Sequence, residues 1–295
     1  MTITYRVTHR TSYRYEMPVT DAYSIACLLP RSRPWQRVRD ASVETSPAPD
    51  EHDERTDVFG NRIVQLGVHH RHDAFDIVAT STVDVDPQPV PESTVTWESV
   101  AETARVLRGR DAITIGPYRA STSASSPSAR TDLLATLATE VFTPGRPVVE
   151  AVTALSTTIF ERFAFDPTAT DWSTPLDSVL EQQRGVCQDF AHLALAVCRF
   201  VGLPASYISG YIETEPPPGQ PKSIGADASH AWCSVWLRDA GWFDIDPTND
   251  QAPPTRHVTV GWGRDYADVA PVRGVVVGPS ANQAMEVAVD VARVY

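Results

Sequence analysis

The sequence predicts an α+β protein: an all-β N-terminal domain of sandwich type, then a core in which one helix packs on an antiparallel sheet. Three observations carry this expectation. Apolar and polar residues alternate with a period of two through the first 86 residues, the pattern of strands with one buried face. Apolar positions then recur at helical spacing between Val148 and Phe200. Strand-like runs return at ASYISGYIE (205–213), SHAWCSVWL (229–237) and GWFDID (241–246).

Within the β region, Ile3, Tyr5 and Val7 alternate with polar residues, as do Tyr13 and Tyr15. Val64, Leu66 and Val68 follow, then Phe75, Ile77, Ala79, Val83 and Val85. FGN (59–61) is a hairpin turn signal. DPQPVPES (86–93), with three prolines, reads as a linker, and STSASSPS (121–128) as a mobile surface loop. Val148, Val152, Leu155 and Ile159 mark one helix, STPLDSVLEQQ (173–183) starts another, and a long helix follows Cys187 until Gly202 and Pro204 end it. Val287, Val289 and Val291 alternate again near the end. The expected division is a β domain over 1–90, a linker and helical region over 91–145, the core over 146–255, and a β segment over 256–295 packing on the core or the N-terminal domain.

Composition narrows the function. A net charge of −12 without a basic run argues against a nucleic-acid partner. No apolar stretch of about 18 residues suggests a membrane span. The start, MTITYRVTHRTSYRY, lacks a signal-peptide pattern. Four cysteines in 295 residues make no disulfide framework. A cytoplasmic protein is expected.

Those four cysteines sort by position. Cys187 follows Gly185 where the helical pattern begins, so its thiol sits in a first turn, where unpaired N–H groups and the helix dipole stabilise a thiolate. Cys198 lies three turns on, about 16 Å along the axis, in an apolar stripe with Ala191 and Ala194. Cys27 reads as core. On the strand-like run 229–237, His230, Trp232 and Ser234 share one face, while Cys233 turns to the other. If Leu237 pairs with Gly241 around a three-residue loop, Trp232 faces Asp246, and His230 and Asp246 lie one diagonal step apart on the same face. A loop of two or four residues would separate them. Cys187 as nucleophile, His230 as base and Asp246 as orienting acid then form a Cys-His-Asp arrangement.

Three segments, GVCQDFAHLALAVCRFVGLPASYISGY, SHAWCSVWL and GWFDIDPTN, closely resemble the core of the transglutaminase-like superfamily. YRVTHRTSYRYEMPV, DVFGN and HVTVGWGRDYADVAPVRGV resemble the flanking parts of its bacterial members. The resemblance covers most of the chain. It implies a papain-like core and places the family's nucleophile, base and acid at Cys187, His230 and Asp246. It further implies thiol attack on an amide carbonyl of a peptide or protein substrate, more in the manner of a cysteine protease or amidase than of a cross-linker. The alternatives are an amine-accepting protein-glutamine transglutaminase and a catalytically silent scaffold whose β domain binds a partner protein.

No cofactor or metal is expected. The animal enzymes' calcium does not carry over, because no calcium-loop spacing occurs and PDEHDERTD (49–57) reads as a solvated acidic loop. His70 and His72 would share a strand face but lack further ligands at a set spacing. His192, five residues after Cys187, reads as a structural helix histidine. Tyr211, Trp232 and Trp242 are candidates to line the site. EPPPGQPKSIG (215–225) reads as a lid or a plain hairpin loop, and GRDY (263–266) as a border of the cleft or a domain contact.

Overall fold

The computed structural model describes residues 1–171, 173–214, 229–279 and 282–294. Six strands open the chain: β1 (Ile3–Val19), β2 (Asp21–Leu29), β3 (Gln36–Ser46), β4 (Glu51–Thr56), β5 (Arg62–Val68) and β6 (His72–Val85). Helices α1 (Trp97–Arg105), α2 (Gly109–Thr114), α3 (Thr131–Val141) and α4 (Val148–Arg162) follow. The two-residue strands β7 (Ala164–Phe165) and β8 (Arg184–Gly185) flank α5 (Leu176–Gln182). Then come α6 (Cys187–Phe200), β9 (Ala205–Ile212), β10 (Ser229–Trp236), β11 (Trp242–Ile245), β12 (His257–Gly263), α7 (Tyr266–Val269), β13 (Val272–Val277) and β14 (Gln283–Val294).

Two four-stranded sheets, ordered β14-β1-β6-β3 and β13-β2-β5-β4, form the sandwich. Their inner faces meet through residues such as Val19, Leu28, Leu66, Phe75 and Ile77, which is why those positions alternate with polar ones. The strand β4 occupies the stretch read as an acidic loop: it is exposed throughout yet pairs with β5. Charged side chains on both faces suit an edge strand, where they discourage further pairing.

A third sheet, ordered β11-β10-β9-β12 and antiparallel, is the core sheet. Helix α6 lies inside the molecule, buried from Asp189 to Arg199. It packs against β9 and β10 on one side and α3, α4 and α5 on another. Gly202, at φ +90°, ends it in a conformation that suits glycine. The segment 121–128, read as a mobile loop, is instead pinned: Arg199, itself 6% exposed, donates to Ser125 Oγ at 2.6 Å and to the Tyr118 carbonyl at 3.1 Å. Arg199 also donates to the carbonyls of Ala205 and Arg264. A buried guanidinium needs such acceptors, and they fix the surrounding loops.

The chain after β11 serves both units, since β12 completes the core sheet while β13 and β14 join the sandwich beside β2 and β1. The outer edge of β12 is closed by side chains of the N-terminal unit. Gln36 donates to the Thr259 carbonyl and accepts from the Thr259 N–H, both at 2.7 Å. Asn61 does the same for Trp262, at 2.8 and 2.9 Å. Each amide thus stands in for a neighbouring strand. A Cβ at Gly261 would lie 3.0 Å from Asn61 Oδ1, so glycine there leaves the amide its approach.

Asn61 is fully buried, and Asn61→Ala strands both Trp262 backbone groups without partners. Urea denaturation should register a loss of about 1–3 kcal/mol in unfolding free energy; a loss within error of zero would mean water replaces the amide at no cost.

Candidate active site

The site begins at the start of α6. Gln183 ends α5 at φ +49°, and the parallel pairing of Arg184–Gly185 with Ala164–Phe165 carries the chain into the next helix. A Cβ at Gly185 would sit 2.6 Å from Asp189 Oδ2. Its absence lets that carboxylate fold back and accept from the Val186 N–H at 2.8 Å and the Thr170 hydroxyl at 2.6 Å. Burial pushes the Asp189 carboxyl up, against the pull of these two bonds. Cys187 is the first residue of the helix so capped. It is partly exposed, whereas Cys27, Cys198 and Cys233 are buried. Burial carries the Cys27 and Cys198 thiols to about 12, out of range of nucleophilic use near neutrality.

The β10–β11 hairpin has the expected register. Leu237 N–H donates to the Gly241 carbonyl at 2.7 Å around residues 238–240, and Cys233 faces Ile245. The same register brings His230 Nε2 to 2.8 Å from Asp246 Oδ2. With Nε2 on the carboxylate, Nδ1 is the ring nitrogen left for Cys187. Burial disfavours the imidazolium, but the charge and hydrogen bond of Asp246, with a further contribution from Cys187, outweigh it and raise the His230 pKa to about 10.

Asp246 is fully buried and holds more than one histidine. His257, on β12, places its Nε2 2.8 Å from the same Oδ2. Asn249 donates to that oxygen at 2.7 Å, and the Thr248 N–H donates to Oδ1 at 2.9 Å. Burial opposes the carboxylate's charge, yet His230 and His257 hold its pKa well below the usual range. His257 is itself lowered, chiefly by burial, so at neutral pH it is a neutral donor. Trp232 backs both rings, nearly parallel to His230 at 6.0 Å and edge-on to His257 at 4.9 Å.

Among the described residues, His230, Asp246 and His257 are the one group with metal-ligand chemistry, their ligating atoms within 4.8 Å of one another. Both Nε2 atoms are occupied by Asp246 Oδ2. His257 carries no local signal in the sequence, because it reaches Asp246 across the sheet. Asn249, three residues after Asp246 in DPTN, was findable as a local turn contact.

The weaker candidates fall elsewhere. His192 is a packing residue: its Nε2 accepts from the Tyr266 N–H at 3.2 Å, its ring meets Tyr207 at 5.0 Å, and burial lowers it to about 4. GRDY joins α6 to β12 through that bond, while Asp265 caps α7. His72 donates from Nδ1 to the His70 carbonyl at 2.7 Å. Tyr211 and Trp232, expected to line the site, are core residues at 3% and 1% exposure. Trp242 is half-buried but lines a cavity at the far end of the core sheet. The segment read as a lid, 215–225, lies outside the described residues.

Comparison with known proteins agrees with this architecture. The model of the bacterial transglutaminase-like N-terminal region matches residues 5–84, and that of the transglutaminase-like superfamily matches 135–247. An uncharacterized protein of Mycobacterium tuberculosis is 40% identical over 97% of this chain and 92% of its own length. One of Mycobacterium leprae is 32% identical over 98% of both. A protein-glutamine gamma-glutamyltransferase of Pseudomonas aeruginosa is 30% identical over 108 residues, 34% of this chain and 16% of that protein. A candidate cysteine protease from Cytophaga hutchinsonii shares the fold, with a TM-score of 0.75 and 22% identity over 100% of this chain and 92% of that one.

A folded-state pKa raised above the unfolded value makes the His230–Asp246 contact most stabilising below about pH 6.5. That contribution is lost as pH rises through about 10. The stability difference between the wild type and Asp246→Asn, from urea melts, should therefore shrink on going from pH 7 to pH 10.5. A difference independent of pH would mean that His230 is not charged in the fold.

Proposed function

The chain belongs to the transglutaminase-like superfamily, and on that premise we propose that it is a thiol-dependent acyl-transfer enzyme acting on amide bonds of peptides or proteins. Cys187 is the nucleophile, His230 the general base and acid, and Asp246 the group that orients the ring. The observation carrying this reading is the 2.8 Å contact of His230 Nε2 with Asp246 Oδ2, on a ring that also feels the Cys187 sulfur.

In this reading the proton of the Cys187–His230 pair already rests on the imidazole, and the sulfur adds as thiolate to the amide carbonyl carbon. A backbone N–H at the start of α6 donates to the oxyanion. Collapse breaks the C–N bond, and the leaving amine takes the proton from His230, leaving a thioester on Cys187. Water then adds, losing its proton to His230, and the carboxylic acid departs as the C–S bond breaks, leaving sulfur as thiolate beside the charged ring. Asp246, held ionised by its partners, orients the ring and stabilises its charged form without taking the proton itself. His257 is a positioning residue: with Asn249 it fixes the oxygen to which His230 is hydrogen-bonded.

Water is the acceptor we favour. Transfer to an amine requires a second binding site and exclusion of water from the thioester. The amine-accepting alternative draws support from the Pseudomonas aeruginosa relative, whose name describes such an activity and whose match falls within about a third of this chain.

Wild type and Cys187→Ala, compared on a peptide-amide library with a labelled primary amine present and products identified by mass, separate the readings. Free acid supports hydrolysis and label incorporation the amine-accepting alternative. No turnover, together with Cys187 alkylation indifferent to His230→Ala, would leave only a scaffold. His230→Ala should lower kcat about 10²–10⁴-fold. His257→Ala should lower kcat about tenfold with KM little changed and move the alkaline limb of the pH profile, whereas His257→Gln, which keeps a donor, should recover part of the loss.

A further inference from the structure

The proposed reaction leaves a cavity of 710 Å³ unused. It lies on the face of the core sheet that carries His230 and Trp232, but at the opposite end of β10. Its floor is Ser206, Ile208 and Ser234, and its walls come from both units of the protein. The size is that of a small-molecule site.

The lining specifies the chemistry of an occupant. Trp35, Trp242, Trp262 and Tyr118 turn toward the space. They are braced rings: Tyr118 meets Trp242 edge-on at 5.2 Å, and the Arg31 guanidinium backs Trp262 at 3.1 Å. Such walls suit a flat π-system. Charge is absent from the offer. Arg33, the cationic residue of the lining, is committed bidentately to Asp244 at 2.7 and 2.9 Å, with the two side chains 5% and 3% exposed. Burial raises Tyr118 to about 12, so it too stays neutral. Of the fully buried side-chain polar atoms in this lining, one has no partner. Ser234 is 1% exposed and its hydroxyl has no hydrogen-bond partner in the protein. It stands directly across the ladder from Ser206. A buried hydroxyl without a partner is costly unless something fills the need. At the mouth, Val58 and Ile113 are 94% and 76% exposed, large apolar side chains that no neighbour covers.

We propose that this cavity is a binding site for an uncharged, flat aromatic molecule that carries one hydrogen-bonding group for Ser234. The site is separate from Cys187, and the proposal stands whether or not the acyl-transfer reading does.

Titration of the intact protein with 2-naphthol, naphthalene and 2-naphthoate, followed by tryptophan fluorescence and calorimetry, tests it. The neutral 2-naphthol should saturate the site with a Kd below about 1 mM, and 2-naphthoate should bind at least about tenfold more weakly, since its charge finds no partner. Ser234→Ala should weaken 2-naphthol about three- to tenfold and leave naphthalene unchanged. Ile208→Trp, filling the floor, should abolish both, with unchanged circular dichroism as the control for folding. Equal binding of naphthol and naphthoate, no saturable binding of either neutral ring, or indifference of 2-naphthol to Ser234→Ala would each overturn the proposal.

Discussion

A carboxylate with no access to water is the constraint around which the candidate site is built. Asp246 is fully buried, and a charge in that position is tolerated only if its lone pairs are occupied. Four donors do this, from His230, His257, Asn249 and the Thr248 backbone. They come from three places: β10, β12 and the turn that follows β11. The carboxylate therefore ties the sheet together at the point where His230 must be held, and removing any one donor weakens the case for the charge of the rest. Fold stability and ring orientation are the same interaction at this residue.

Much of this was legible in the residues, and the parts that were not share a cause. Sandwich strands such as β6 could be read because one face is dry and the other wet, as at Phe75 and Ile77. The His230–Asp246 contact could be read because a short hairpin fixes its own register, so counting from Leu237 and Gly241 was sufficient. His257 could not be read this way. Its place depends on the pairing of His257 with Ile212, on a register shift between Thr259 and Gly261, and on β12 lying at the sheet edge next to β9. None of these is local. The Ser125 anchor was hidden for the same reason, since its partner Arg199 is 74 residues away. The strand β4 was missed because an edge strand solvated on both faces carries no period-two signal.

The two units are less separable than a division by sequence suggests. One apolar cluster includes Tyr5, Val7 and Val83 of the N-terminal sheets together with Leu193, Tyr207 and Val258 of the core. Arg33 reaches across to Asp244, and Trp232, which backs the two histidines, donates to the same carboxylate at 3.2 Å. A chain of direct contacts thus runs from the N-terminal unit to the ring of His230.

The return of β13 and β14 to the sandwich has a bearing on synthesis. Chains emerge from the ribosome in order, and units generally fold as they become complete. Here β2 and β1 must wait for partners that are translated after the whole core, including the helix with Cys187. Until those partners arrive, two strand edges remain open to pairing with other nascent chains. A ribosome that stalls between β12 and β13 would release a polypeptide already equipped with its thiol and its histidines but with its first sheets unfinished, a natural client for chaperones.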